Sequence, residues 1–472
     1  MRALLVPADG VPQPVSAADI DERTARAAAG LAARGVKPGF VVVVRLPKSL
    51  EWLVAMRALW RLGAIAVACP HQLTERDVED RMRRSGAATA LLEPADVPGE
   101  PAGAPPPSAE LGPSAPAFLL FTSGTEGEPK AALHARSYAA ANRLQTERWM
   151  GVRAADRIWC TAAAGWSKSL RNVWLAAELT GAETVIHEGR FDAAERLRLL
   201  AELRPQVLCM SPTEYRMCAA ADGFGARPLP ELREAVAAGE ALDAATVERW
   251  REAYGVTVRD GYGQTETGAL AGVPAGGAGP AGAIGRALPG VELEVRQGGE
   301  LWARAASVPT FFSGYWDDAE ATRTRLEDGW WQTGDLAREE DGVLWFAGRA
   351  DDVISSSGYR IGPGEVEEAL RSHPAVQECA VVGIADAERG QIVHADVIAA
   401  PGTAAGDELA EELRRHVRTV TAPYKYPRSL RFVRSLPRTA TGKVRRSAVR
   451  DDLAAHHEGV AEPTDGTWGP GP

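Results

Sequence analysis

The sequence predicts an α/β protein: a large N-terminal domain of packed α/β sheet layers with a small β-rich subdomain, followed by a small α+β C-terminal domain. Three observations carry this. Short β-branched runs alternate with helical patterns from Ala17 to Met210, glycine-punctuated short strands follow residue 285, and a helix–strand–strand–helix unit comes after Arg349–Asp352. Strands alternating with helices imply parallel sheets with crossover connections.

Each element has its own signal. Ala17–Arg34 carries alanine and leucine at helical spacing and stops at Gly35, with Pro38 just beyond. Phe40–Leu46 is β-branched, Leu50–Leu62 helical, Ala64–Ala68 a strand, Glu75–Ser85 helical and Thr89–Leu92 a strand. Ala95–Pro116 is rich in Pro, Ala and Gly and reads as a surface loop before the strand Ala117–Phe121. A helix around Ser169–Leu179, a strand Glu183–Ile186, a helix Ala193–Leu203 and a strand Gln206–Met210 follow. Gly272–Gly285 reads as a loop, and Gly290–Val295, Gly299–Ala303 and Gly342–Phe346 as strands of the β-rich part. Beyond Arg349–Asp352 come helix Gly364–Ser372, strands Val376–Ile384 and Val393–Ile398, and helix Gly406–Val420. The domains are therefore 1–349 and 350–455, with 456–472 a Gly/Pro-rich tail expected to be disordered.

Composition narrows the class. At 472 residues the chain is too long for one ordinary core. Hydrophobic residues make up 45% and charged residues 25%, as in a water-soluble globular protein. A net charge of −10 argues against a nucleic-acid or membrane-surface binder, which needs a basic face. Cys69, Cys160, Cys209, Cys218 and Cys379 show no metal-ligand spacing and read as reduced core thiols. Met1–Gly10 lacks a signal-peptide pattern and no run of 18 apolar residues is present, so a cytoplasmic location is expected.

The chemistry concentrates in short motifs. Phe121–Lys130 packs hydroxyls, two glycines and a lysine into one loop. Glycines let backbone N–H groups approach an anion, the hydroxyls add donors or a metal ligand, and Lys130 supplies a point charge. The spacing is not that of a Walker loop, because only two residues separate Gly124 from Gly127 and Pro129 precedes the lysine. Asp260–Gly268, Gln332–Asp335, Gly348–Asp352 and Pro437–Lys443 follow in order.

Together these strings resemble the adenylate-forming superfamily of acyl-CoA synthetases, peptide-synthetase adenylation domains and luciferases. Gly165–Lys168, Ser356–Pro363 and Tyr424–Arg428 are most similar to the medium-chain acyl-CoA synthetases. The resemblance implies ATP, Mg²⁺ and CoA, with a C-terminal domain that is mobile about Asp351. It assigns Thr122, Ser123, Gly124, Thr125, Gly127 and Lys130 to the triphosphate. Gly239, Glu240 and Ala241 would pack on one face of adenine and Tyr262 on the other, with Asp260, Gly261, Gly263 and Gln264 also assigned to ATP binding. Thr265 would meet the α-phosphate and the substrate carboxylate, Glu266 with Thr125 would hold Mg²⁺, and Asp335 and Arg349 would bind ribose. Lys443 would stabilise the charge that develops during adenylation. Ser357, Gly358, Tyr359, Arg360, Arg389, Arg418, Tyr426 and Arg428 match the CoA contacts.

For the acyl pocket the same likeness implies Trp166, Arg171, Met210, Ser211 and Gly263, with Gly263 leaving room for more than acetate. Two departures stand out. Glu126 occupies a position usually held by Ser or Thr, with Glu128 close behind, and either turns away or helps to ligate magnesium. Arg171 replaces an aromatic or apolar residue and either binds a second polar group of the substrate or projects outward. His134, just after the phosphate loop, reads as a packing residue. The implied activity is ATP-dependent ligation of a medium-chain or aromatic carboxylic acid to CoA through an acyl adenylate. Transfer to a carrier-protein thiol, an amine or another small nucleophile, and a non-catalytic nucleotide-binding role, are the alternatives.

Overall fold

Local capping sets many of the helices. Ser49 accepts from the Trp52 amide to open helix Leu50–Leu62, which ends at Gly63 in the left-handed region. Thr74 and Asp77 form a capping box for Glu75–Ser85, and Ser16 and Asp19 do the same for Ala17–Ala33. Trp52, Leu53, Met56 and Leu59 on one of these helices are buried against the strands they connect.

The computed structural model describes residues 1–7, 11–100, 103–122, 129–187, 189–240, 242–280, 282–357, 359–386, 388–438 and 444–458. Ser123, Gly124, Thr125, Glu126, Gly127, Glu128, Ala241, Gly358 and Lys443 lie outside the described residues, as does the side chain of Arg360. Two compact units are present, one ending at Phe346 and the other beginning at Ala347.

The first unit holds three sheets. Its nine-stranded sheet has the spatial order Arg286–Ala287, Gly268–Gly272, Val258–Gln264, Glu234–Ala238, Val207–Met210, Arg157–Cys160, Glu183–His187, Arg2–Val6, Gln13–Val15. From Val258–Gln264 to Arg2–Val6 neighbouring strands are parallel, and antiparallel strands flank them. A six-stranded sheet runs Gly314–Tyr315, Ala131–Ala135, Pro116–Phe121, Ile65–Ala68, Val41–Val44, Thr89–Leu91. The third sheet is antiparallel and centres on the long strand Trp330–Glu340. Strands buried on both faces, such as Val207–Met210, explain the short continuous apolar runs in the sequence.

The second unit builds its sheet from Tyr359–Ile361, Ile354–Ser356, Gly390–Ala399, Val376–Asp386 and Ser429–Phe432. Helices Pro363–Arg371 and Asp407–Val420 bury Val366, Leu370, Leu413 and Val417 in the same core.

Two local readings change. The helix expected over Ser169–Leu179 is an α-turn Ser167–Ser169, a π-helical segment Leu170–Leu175 and an α-helix Ala176–Thr180. The Arg171 carbonyl accepts from Ala176 N and from Asn142 Nδ2 at 3.0 Å, so a side chain from the junction of helices Ser137–Ala141 and Arg143–Arg148 competes for a backbone acceptor. The final helix, Arg446–Glu458, includes His456, where a disordered tail was expected to begin. Neither His456 nor His457 breaks a helix, and the first glycine after them is Gly459.

Gly165 is fixed by close approach. Its φ is +89°, and a Cβ there would lie 2.1 Å from the Cys69 carbonyl oxygen. Gly165→Ala is expected to destabilise the protein by more than about 2 kcal/mol in urea denaturation. Gly112→Ala, where a Cβ meets nothing within 4 Å, should change the midpoint little; equal effects of the two would refute the steric account.

Candidate active site

Strand Val258–Gln264 reverses through Thr265–Thr267 into Gly268–Gly272, with a register shift at Tyr262/Gly263. A Cβ on Gly263 would lie 2.0 Å from the Gly268 carbonyl oxygen. The hairpin backbone itself therefore demands glycine here, whatever space a substrate needs, and this corrects the reading of Gly263 as room left for an acyl chain. Gly261 is likewise fixed by packing, since its Cβ would meet the Trp149 indole at 2.5 Å.

The turn is pinned from several sides. Gln264 N donates to Thr267 Oγ1 at 3.1 Å, and Thr310 Oγ1 donates to the Thr267 carbonyl at 2.6 Å. His134 Nε2 lies 2.8 Å from the Thr265 carbonyl, which can only accept, so Nε2 carries the proton. Burial lowers the His134 pKa to about 3 and keeps the ring neutral. His134 is thus more than the packing residue expected, because it fixes the backbone of Thr265.

Glu266 is buried, and its Oε1 accepts from the Tyr315 hydroxyl at 2.6 Å. Its carbonyl accepts from Phe312 N at 2.8 Å. Burial, followed by the charge of Glu266, pushes the Tyr315 pKa up, so the phenol stays protonated and donates. Lys130 Nζ sits 5.2 Å from the centroid of the same ring. Lys130 N donates to Thr122 Oγ1 at 2.9 Å and Thr122 N to the Lys130 carbonyl at 2.8 Å, which ties the two ends of the phosphate loop together. Among the described residues no group of three or more His, Cys, Asp or Glu could hold a metal ion. The lone carboxylate of Glu266 suits Mg²⁺, which commonly takes one or two protein carboxylates and completes its octahedron with phosphate and water.

Asp335 gathers the next cluster. Its Oδ2 accepts from the Tyr262 hydroxyl at 2.6 Å and from Gln264 Nε2 at 2.7 Å. Gln264 Nε2 also donates to the Thr333 carbonyl at 2.7 Å, and Trp331 Nε1 donates to Gln264 Oε1 at 3.2 Å. The Tyr262 ring faces Phe346 at 6.5 Å. Asp260 is buried beneath this cluster and its Oδ1 accepts from Gly261 N at 2.8 Å; burial raises its pKa to about 8. Gly239 (φ +105°) ends strand Glu234–Ala238, and the Glu240 carboxylate accepts from Thr213 Oγ1 at 2.5 Å and pairs with Arg216 at 3.3 Å.

The residues expected in the acyl pocket divide. Trp166 is partly exposed, and its carbonyl accepts from Ser169 Oγ at 2.8 Å. Met210 is fully buried in a cluster with Trp159, Leu208 and Tyr215 and presents no surface to a cavity. The strand alternates, and Cys209, not Met210, points to the opposite core. Ser211 caps helix Pro212–Ala220 in a box with Glu214, so its hydroxyl is already engaged. Arg171 is partly buried beside the hairpin: a Cβ on Gly268 would lie 3.4 Å from its Nη1.

In the second unit Arg349 Nη2 pairs with Asp351 Oδ2 at 3.2 Å, and Asp351 lies exposed on the turn Ala350–Asp352. Arg389 Nη1 donates to Ser357 Oγ at 3.0 Å. Tyr359 stacks on Tyr424 at 4.2 Å. Arg418 and Arg428 lie over the Tyr426 ring at 3.8 and 4.8 Å, and Arg428 also donates to the Tyr426 hydroxyl at 2.7 Å.

Sequence reasoning missed Tyr315 and Thr310, and gave Thr333 no role of its own within the motif Gln332–Asp335. Gly314–Tyr315 repeats the glycine–aromatic pairing of Gly261–Tyr262, a faint local signal, whereas Thr310 acts through a distant partner, and Thr333 Oγ1 accepts from Asp335 N at 3.1 Å and donates to the Leu301 carbonyl at 2.5 Å.

The Asp260 carboxyl has a testable signature. Its folded pKa, about 8, lies above the roughly 3.9 of an unfolded Asp. Its contribution to stability is full below the unfolded value and is lost as pH rises toward the folded one. Asp260→Asn should therefore gain on the parent as pH rises from 5 to 8, read as the difference in urea midpoint. A difference that stays flat with pH would remove the buried-carboxyl assignment.

Comparison with known proteins agrees with this geometry. Residues 5–316 match the family model of the AMP-binding enzymes, and residues 365–443 that of the AMP-binding enzyme C-terminal domain. An uncharacterised acyl-CoA ligase of Bacillus subtilis, YtcI, is 36% identical over 91% of this chain and 88% of its own length. Human mitochondrial acyl-coenzyme A synthetase ACSM5 is 34% identical over 88% of this chain and 80% of its own. Among solved structures, the anthranilate CoA ligase AuaEII in complex with anthranoyl-AMP superposes with a TM-score of 0.86 at 28% identity, covering 96% of this chain and 95% of that one. A benzoate CoA ligase from Burkholderia xenovorans LB400 gives 0.84 at 28% identity, covering 95% and 96%. On these matches the chain belongs to the AMP-binding enzyme family, among the acyl-CoA ligases and synthetases.

Proposed function

We propose that this protein is an ATP-dependent acid:CoA ligase for a medium-chain or aromatic carboxylic acid. The observation that carries the reading is the Asp335 carboxylate, held by Tyr262 and Gln264 at the base of the Thr265–Glu266 turn. A nucleoside seated there would put its ribose on Asp335 and its phosphates along the turn, toward Lys130. The ligands named for the anthranilate and benzoate ligases support an aromatic acid.

In the first step a substrate carboxylate oxygen attacks the α-phosphorus, the bond to the β-phosphate oxygen breaks, and pyrophosphate leaves. Thr265, its backbone fixed by His134, meets the α-phosphate and the carboxylate. Glu266, with Thr125, would hold Mg²⁺, which would neutralise phosphate charge when bound. Lys443, in the motif Pro437–Lys443, supports the charge that grows in the transition state. In the second step the CoA thiolate attacks the acyl carbon and AMP leaves. The Arg418–Tyr426–Arg428 cluster suits CoA phosphates through its guanidinium groups. Rotation at Asp351 would alternate the two half-reactions. The five cysteines are buried and unpaired, as suits a reducing cytoplasm. No described helix is long and apolar enough to cross a membrane.

Pyrophosphate release from Mg·ATP over a panel of aliphatic and aromatic acids tests the reading. Release should depend on one class of acid and rise with CoA, and Lys443→Ala should lower it by about 100-fold or more. Release that ignores CoA would mean another acceptor, such as a carrier-protein thiol or an amine; no release with any acid would overturn the ligase reading. Tyr315→Phe, which frees one oxygen of Glu266, should lower kcat by roughly tenfold and raise the Mg²⁺ concentration needed for half-maximal rate. An unchanged Mg²⁺ dependence would separate Tyr315 from the metal.

A further inference from the structure

Within the proposed acyl site, Arg171 carries a charge that the packing of the described residues does not balance. Its Nε and Nη1 are buried and have no hydrogen-bond partner among the described residues. Around it lie other buried polar atoms in the same condition: His134 Nδ1, the Tyr138 hydroxyl and Asn142 Oδ1. The His134 and Tyr138 rings pack together at 4.3 Å, and Asn142 Nδ2 holds the Arg171 carbonyl at 3.0 Å. The charge of Arg171 acts on both rings, lowering the imidazole pKa further after burial and opposing the rise that burial gives the phenol. Neither ring supplies a negative charge, because His134 is neutral and Tyr138 stays protonated.

Arg259, which is buried, shows what a purely structural guanidinium looks like in this fold. Arg259 Nη2 donates to Glu234 Oε2 at 2.6 Å, and its Nη1 donates to the carbonyls of Trp149 and Val273, each at 2.6 Å. Burying a guanidinium without such partners is strongly unfavourable. Arg171 also stands beside Gly268, two residues beyond Glu266, where the reacting carboxylate would be activated. The π-helical segment Leu170–Leu175 that carries it is anchored on both sides, through Asn142 on the Arg171 carbonyl and through Gln145 Nε2 on Asn172 Oδ1 at 2.7 Å.

We infer that Arg171 is a specificity-determining residue that pairs with a second carboxylate on the substrate, so that the preferred acid is a dicarboxylic acid activated at one end. The inference rests on the ligase reading and narrows its substrate class. One carboxylate goes to the Thr265–Glu266 turn for adenylation. The other replaces water around the guanidinium, as a bidentate partner whose two oxygens match the fork of donors. An acid without that group leaves the charge unpaired and is selected against.

The test compares kcat/KM for pyrophosphate release with matched pairs: glutarate against pentanoate, adipate against hexanoate, suberate against octanoate and terephthalate against benzoate. The full-length protein should favour the diacid of at least one pair by about tenfold or more. Arg171→Leu should reverse that ratio, mainly through KM for the diacid, and Arg171→Lys should retain part of it. Thermal melting without ligand gives a second readout. Loss of an unpaired charge should leave Arg171→Leu at least as stable as the parent, whereas loss of a structural arginine would lower its Tm. Equal use of both acids by parent and variant, or a lower Tm with no change in ratio, would overturn the inference and leave the ligase reading standing. Failure of every acid, single or double, would overturn both.

Discussion

The turn from Gln264 to Gly268 is where the three sheets of the first unit meet, and the polar residues around it depend on that junction. The hairpin belongs to the nine-stranded sheet. His134 reaches it from a strand of the six-stranded sheet, and Tyr315 from the edge strand of the same sheet. Asp335 comes from the third sheet and binds Tyr262 and Gln264 just before the turn. Each bond satisfies a polar group that would otherwise be buried without a partner, a condition that costs roughly 1–3 kcal/mol per group. The hairpin is therefore held by every layer at once. That explains how a turn of small and polar residues can be rigid enough to orient a phosphate and a carboxylate.

Much of the fold was legible because helices and strands announce themselves locally. Helices Leu50–Leu62, Glu75–Ser85 and Ala193–Leu203 begin and end where the sequence pattern puts them. Caps at Ser49, Thr74 and Asp192 set their starts, and Gly63 and Gly86 stop the first two. The segment Ser167–Thr180 resisted the same reasoning. Its departure from an α-helix follows from Asn142, the residue that joins helices Ser137–Ala141 and Arg143–Arg148, and a periodicity count within the segment has no access to that contact.

The site divides along the same line. Tyr262, Gln264, Glu266, Asp335 and Lys130 are found together because each lies in a short motif with its own spacing. Their supports are different: Tyr315, Thr310 and His134 acquire a role only when distant strands bring them to the turn. Gly263 illustrates the opposite error. The sequence shows that a side chain is missing but not what fills the space, and the Gly268 carbonyl fills it. In the second unit the motif Arg349–Asp352 offers two adjacent carboxylates with separate partners. Asp351 pairs with Arg349, while Asp352 anchors the last helix through Arg446 at 3.3 Å and Arg450 at 3.1 Å.

Charge burial separates structure from function more sharply than residue type does. Arg259 and Arg171 are both arginines inside the first unit, and composition treats them alike. Arg259 contributes to the fold, because Glu234 and two carbonyls balance it. Arg171 has two buried nitrogens, Nε and Nη1, without a hydrogen-bond partner among the described residues, so its position costs stability until something else supplies acceptors. A fold tolerates such a residue when the gain appears elsewhere, and the hairpin two residues from Glu266 is where binding energy would be spent on orientation. On that argument the arginine that looks least useful to stability carries the most information about the substrate.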